Sequence, residues 1–195
     1  FRFLDTGVFY RAATLAALER GIDLEDQAAL VKVVRNTEIQ VAPPPAHPGQ
    51  AGGDRLLVDG RDVTDRLRSP EVESGVSLVA KVSGVRSALV KRQRAVARQG
   101  PIVMVGRDIG TVVLPDAPVK VYLTASVEVR ARRRSLELQD QDLRADYGQV
   151  LDEIIRRDKI DSERADSPLR PAADAVQIET DDLGLEELAQ RVVQL

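Results

Sequence analysis

The run Gly100-Pro-Ile-Val-Met-Val-Gly-Arg-Asp-Ile-Gly-Thr111 decides the fold class. Its first half, Ile102–Val105, is wholly apolar and closed on both sides by breakers. A short run of this kind suits a strand buried on both faces of a parallel sheet. Its second half is a polar loop carrying Arg107 and Asp108. A charged pair set between a wholly apolar strand and the apolar Ile109-Gly-Thr-Val-Val113 has no packing reason to be there, so it points to function.

Upstream, Ser69-Pro70-Glu71 predicts a helix start, with Ser69 as N-cap and Pro70 at the first helical position. The helical pattern runs to about Val82, breaks near Ser83-Gly84 and resumes to Arg98. Further back, Phe1–Leu4 reads as a strand and Asp5-Thr6-Gly7 as a turn. Helices follow over Phe9–Arg20, stopped by Gly21, and over Leu24–Asn36. Phe9 and Tyr10 read as helix packing. Short strands are predicted at Ile39–Val41, Leu56–Val58 and Arg61–Val63. Asp59-Gly60 supplies a hairpin turn, and the Pro- and Gly-rich stretch 43–53 a solvated loop. Residues 39–66 therefore read as a small antiparallel lobe.

Downstream, Val119–Leu123 predicts a second buried strand and Ser126–Leu138 an Arg-rich helix. After polar Gln139–Asp146 come a helix from Gly148 to about Arg164, a strand at Ala175–Ile178 and a closing helix at Leu185–Val193. Strands alternating with helices imply right-handed crossovers and a parallel sheet. Ligands in such sheets sit beyond the carboxyl ends of the strands. Three segments leave strands at that end: Asp5-Thr6-Gly7, Gly106–Thr111 and the start of the Arg-rich helix.

Composition narrows the chemistry. The 195 residues are 43% hydrophobic and 30% charged, which is ordinary for a globular chain with a real core. Only 3% are aromatic, so aliphatic side chains must build that core. With 28 basic and 31 acidic residues the formal charge is −3, which argues against a dedicated nucleic-acid binder. Cysteine is absent and His47 is the single histidine, so thiolate chemistry and multi-histidine metal sites are excluded. His47 lies in the Pro- and Gly-rich loop and reads as exposed rather than catalytic. No apolar run reaches the roughly 18 residues of a membrane span. No secretory leader is read at the start, so a cytosolic location is expected.

Arginine carries most of the functional signal. Arg11 lies one turn beyond Thr6-Gly7, and Arg107 follows the decisive strand. Arg130, Arg132, Arg133 and Arg134 crowd one helix. Guanidinium forks bind phosphate oxygens in pairs, so arginines directed at strand ends imply a polyanionic ligand. Residues 128–170 hold 9 Arg and 1 Lys but also 11 acidic residues, a mixed surface rather than a basic patch. Arg157, Asp161 and Arg164 fall within about 60° of one helix face. Taken alone, that triplet reads first as exposed intrahelical ion pairs.

Several runs together resemble the bacterial cytidylate kinases, a family of P-loop nucleoside monophosphate kinases. They are Phe3-Leu-Asp-Thr-Gly-Val-Phe-Tyr-Arg11, Leu57-Val-Asp-Gly-Arg-Asp-Val-Thr64 and Val85-Arg-Ser-Ala-Leu-Val-Lys-Arg-Gln-Arg94. Gly106-Arg-Asp-Ile-Gly-Thr-Val-Val-Leu-Pro-Asp-Ala-Pro-Val-Lys120, Arg156-Arg-Asp-Lys-Ile-Asp-Ser-Glu-Arg164 and Ser167-Pro-Leu169 complete the set. The resemblance implies a three-layer α/β fold with a mostly parallel sheet. It also implies a kinase core over 1–38 and 67–195, a lid at about 126–165, and residues 39–66 as an insert of the acceptor-binding region.

The activity it implies is transfer of a phosphoryl group from ATP, with Mg²⁺, to CMP or dCMP. By the same resemblance, Arg11 and Arg107 clamp the acceptor phosphate with help from the Thr6 hydroxyl. Ser77, Arg86 and Asp108 read cytosine, Arg157 and Asp161 touch the ribose, and Arg130, Arg134 and Arg164 face the transferred group. No protein metal ligand is nominated, and a monomer without nucleic-acid or membrane partners is expected.

Two departures shape the expectation. The phosphate-binding pattern G-x-x-x-x-G-K-[ST] occurs nowhere in the 195 residues, and Val105 stands where the family usually has an acidic residue. The chain is therefore expected to be an N-terminally incomplete cytidylate kinase, its central first strand missing from between 102–105 and 119–123. Those two strands should then not pair with each other. The alternative is a non-catalytic CMP-binding remnant without an ATP site.

Overall fold

The computed structural model describes residues 1–43, 54–140, 146–164 and 166–195. Most of the Pro- and Gly-rich loop with His47, and part of the polar stretch after the Arg-rich helix, lie outside the described residues. The chain forms two compact units, Phe1–Ile109 and Gly110–Leu195.

The first unit opens with strand β1 (Arg2–Asp5) and helix α1 (Gly7–Glu19). The chain leaves α1 through Gly21 at φ +63°, a left-handed stop that a side chain would strain. Helix α2 (Gln27–Asn36) starts three residues later than its pattern suggests, because the Asp26 carboxylate caps it by accepting from the Ala29 N–H. Strands β2 (Ile39–Ala42), β3 (Arg55–Val58) and β4 (Arg61–Asp62) pair antiparallel in that order. Asp59 and Gly60 both take positive φ, +48° and +77°, the requirement of a tight hairpin turn. A short 3-10 turn, Thr64–Arg66, follows.

Helices α3 (Pro70–Ala80) and α4 (Ser83–Ala97) come next. Pro70 occupies the first turn as expected, but the Ser69 side chain makes no capping bond. Strand β5 (Ile102–Val105) then pairs parallel with β1, Phe3 opposite Val103 and Asp5 opposite Val105. One face of the pair packs inward through buried Leu4 and half-buried Ile102 and Met104. The core it joins includes Phe9, Leu30, Val79, Val85 and Leu89, and it also takes Ile39, Leu56 and Val58 from the antiparallel strands.

Burial of β5 on both faces is not observed. Val103 is 51% and Val105 48% exposed, and Phe3 on β1 is 61% exposed. Strand side chains alternate, so a two-stranded pair covered on one side leaves every second residue outside whatever its polarity.

The second unit holds strands β6 (Val121–Thr124) and β7 (Val176–Glu179), paired parallel with Val121 opposite Val176. Helices α5 (Val127–Asp140), α6 (Tyr147–Glu163) and α7 (Leu185–Val193) complete it. β6 begins two residues later than its apolar run. A π-helical turn, Ile109–Val113, was not anticipated from sequence. Among the described residues β5 hydrogen-bonds to β1 and β6 to β7, so the two apolar strands do not pair with each other.

Candidate active site

The loop after β5 can run tight against the end of β1 because residue 106 is glycine. A Cβ there would lie 2.3 Å from Thr6 Oγ1. The Thr6 backbone N–H and hydroxyl both donate to the Val105 carbonyl, at 2.9 and 3.0 Å. The hydroxyl proton of Thr6 is thus spent on joining the two strand ends at the start of α1.

Asp108 then turns inward. Its carboxylate accepts from Arg86 of α4, with the two side chains 6% and 4% exposed. A second guanidinium nitrogen, Arg86 Nη1, donates to the Ala80 carbonyl at 3.2 Å. The guanidinium lies over the Tyr10 ring, 5.3 Å from its centroid, a cation–π contact. Three elements therefore fix one charged pair: α1 as a floor, the end of α3 through its carbonyl, and the β5 loop through Asp108. A pair buried this deeply is expensive to desolvate and is a weak contributor to stability. Its value lies in a donor and an acceptor held at fixed positions side by side.

Arg107, half-buried, directly precedes Asp108 on the same loop. Arg11 stands on α1 beside Tyr10, and its Nε donates to Glu73 Oε1 at 2.7 Å. Asp5 Oδ2 is 3.8 Å from Arg11 Nη1, while Asp5 Oδ1 accepts from the Gly7 N–H at 2.8 Å. Ser77 is half-buried on α3, one turn beyond Glu73. Tyr10 packs in the core, as its place in the helix predicts, and also lies under Arg86. Glu73, four residues from Ser77, is the neighbour that sequence reading does not name.

In the second unit, Arg164 Nη1 and Asp161 Oδ1 pair at 2.8 Å with side chains 7% and 8% exposed. The spacing is that of an ordinary intrahelical pair, but the pair is buried rather than solvated. It also serves the chain reversal after α6: Arg164 Nε donates to the Ser167 carbonyl, and the Leu169 N–H to the Asp161 carbonyl. Arg157, one turn earlier than Asp161, is half-buried. Arg130 pairs with Asp158 at 2.6 Å and Arg134 with Glu137 at 2.8 Å. Arg133 instead holds β7, donating to the hydroxyl and carbonyl of Thr180. Asp181 accepts from the Ser126 N–H before α5, and that bond holds its carboxyl below the usual aspartate range.

Among the described residues no group of three or more His, Cys, Asp or Glu side chains could hold a metal ion. Asp5, at the end of β1, is engaged with Gly7 and faces Arg11, and Val105 offers no ligand.

Two parallel strand pairs, with Arg107 on the loop after β5 and Arg11 and Arg130 in the helices that follow β1 and β6, fit the class that the family match gives: an α/β phosphotransferase fold of the nucleoside monophosphate kinase type. The family profile described as Cytidylate kinase matches residues 1–195. A protein named Cytidylate kinase from Bacillus velezensis is 46% identical over 193 residues, covering 99% of this chain and 84% of its own length. One of the same name from Geobacillus kaustophilus is 48% identical over 193 residues, with the same coverage. A third, from Exiguobacterium sibiricum, is 47% identical over 193 residues. The chain belongs to the cytidylate kinase family.

Proposed function

We propose that this chain works as a nucleoside monophosphate kinase, passing the γ-phosphoryl group of ATP to CMP or dCMP. The observation that carries the choice of base is the buried Arg86–Asp108 pair beside Arg107. Cytosine presents an amino donor next to ring acceptors, and a carboxylate beside a guanidinium matches that edge. Uracil presents an acceptor in place of the amino group, which Asp108 would repel. Ser77 completes the base site.

Arg11 and Arg107 hold the acceptor phosphate. Thr6, its proton on the Val105 carbonyl, seats the loop that carries Arg107 rather than donating to that phosphate. Arg157 and Asp161 bind the ribose. Arg130, Arg134 and Arg164 neutralise charge on the transferred group. Phosphoryl transfer asks little covalent chemistry of a protein, so orientation and charge stabilisation supply the rate. A lid at about 126–165 would exclude water as it closes, and the antiparallel strands at 39–66 would form the acceptor insert. The family implies ATP and Mg²⁺, and the described residues offer no cluster of three or more carboxylate or histidine donors that would hold a cation by protein alone.

The test is ADP release from ATP and Mg²⁺ with CMP, dCMP, UMP and AMP offered in turn. Turnover confined to CMP and dCMP is expected, and its loss in Asp108→Ala would tie selectivity to that carboxylate. Equal turnover with UMP would overturn the base-reading role. CMP binding without turnover would leave the acceptor site standing and remove the kinase activity.

A further inference from the structure

Arg11 is hydrogen-bonded through Nε, while Asp5 stands on its Nη side as a looser ion pair. Its Nε bonds to Glu73 Oε1 at 2.7 Å, with the two side chains just 13% and 19% exposed. A guanidinium has five N–H donors, one on Nε and two on each Nη. Glu73 takes the Nε donor, at the root of the fork. Arg11 Nη1 reaches the first turn of α1, where it lies 2.7 Å from the position of a Cβ on residue 7. That approach is open because residue 7 is glycine. Asp5 Oδ2, at 3.8 Å, is beyond hydrogen-bond length.

Glu73 is well placed to stay where it is. It sits in the first turn of α3, where the helix dipole favours a negative charge. It also shares a face of α3 with Ser77, four residues on. One helix face therefore carries both the partner of the phosphate clamp and a base-reading residue, about 6 Å apart along the axis by helix geometry.

We infer that Glu73 is a positioning residue: it fixes Arg11 through Nε and so aims the Nη donors at the acceptor phosphate. This rests on the reading of Arg11 as a phosphate clamp. The opposite role, a carboxylate competing with phosphate for the guanidinium, would need Glu73 on the Nη edge.

The experiment compares equilibrium binding of CMP and of cytidine, which lacks the phosphate, by NMR titration of the full chain. Glu73→Ala is expected to weaken CMP binding about tenfold, the size of one lost charge-assisted bond, while cytidine moves less than about twofold. Glu73→Gln keeps an oxygen that accepts from Nε, and should restore most of the CMP affinity. A general disturbance of α3 would shift cytidine and CMP together and would overturn the inference. So would a CMP affinity that rises in Glu73→Ala, since that is the signature of competition. Arg11→Ala separates the two layers. If it abolishes the preference for CMP over cytidine while Glu73→Ala does not, Glu73 alone is misassigned. If Arg11→Ala leaves the preference intact, the clamp reading falls and the role of Glu73 falls with it.

Discussion

The two units of this chain bury very different amounts of apolar surface. In Phe1–Ile109 a continuous core runs from Leu4 through α1, α2, α3 and α4, with Phe9, Leu30, Val72, Val79, Val85 and Leu89 fully buried. In Gly110–Leu195 the buried apolar side chains, among the described residues, are Val113, Ala131, Val150 and Ile178. Helix α7 buries none, and its Leu185 and Val193 are 85% and 86% exposed. Hydrophobic burial is the main stabilising term, so the first unit is held by its core. The second relies on polar ties: Arg133 on Thr180, Asp181 on Ser126, Arg164 on Asp161. The pair proposed to read the base lies in the unit with the denser core, and the three arginines proposed to face the transferred phosphoryl group lie in the other.

The largest expected effect attacks the denser core. Phe9→Ala should cost about 4 kcal/mol, whereas Ile178→Val in the second unit should cost about 1. Urea melts followed by far-UV circular dichroism would read both, and equal midpoint shifts would erase the contrast between the units. Next comes the buried charge. Arg86→Met strands Asp108 without its guanidinium, and should destabilise by about 3 kcal/mol. Adding Asp108→Leu should recover much of that loss in the same melts. Failure to recover would mean the pair stabilises the fold beyond balancing its own burial.

The smallest effect sharpens the comparison within the first unit. Glu19, at the end of α1, accepts from Arg66 and from Arg61. The Arg66 hydrogen bond holds its carboxyl below the usual glutamate range. Both arginines are more than half exposed, so solvent screening keeps the contribution to about 0.5 kcal/mol. A depressed folded-state value means this stability is present above the unfolded glutamate value of about 4.3 and is lost as pH falls through the lower folded value. Glu19→Gln should therefore melt lower than the unaltered protein at pH 7, and the gap should shrink as pH falls below about 4. A gap that does not change with pH would trace to packing, not charge.

Much of the fold was legible because its punctuation is local. Gly21, Asp59-Gly60, Pro70 and Gly100-Pro101 each mark a boundary that the structure keeps to within a few residues. The exposed half of β5 was not legible, because Ile-Val-Met-Val contains no polar alternation to say which side lacks a cover. The π-helical turn after Asp108 also left no trace in hydrophobic period. At the site, the residue types were readable locally, while the grouping of Arg86 with Asp108 came only through the family resemblance. Asp108 stood out by its polarity against an apolar background. That Arg86 lies 22 positions upstream and packs on Tyr10 depends on how α2 and α3 bring α4 towards α1, which no local pattern encodes. The Asp161–Arg164 spacing was legible, but its burial depends on the turn that Ser167 makes at φ +54°.

The close approach of Thr6 and Gly106 has a consequence for how such a sequence can drift. Each residue defines the room available to the other: a methyl group on 106 would overlap the Thr6 oxygen, and that oxygen is where it is because it bonds the Val105 carbonyl. A larger residue at 106 needs position 6 trimmed, which gives up a hydroxyl bond to Val105, and it also needs Ile109 to move, because its Cδ1 would lie 2.8 Å from that Cβ. Substitutions at the two sites, 100 positions apart in the chain, are therefore expected to be coupled.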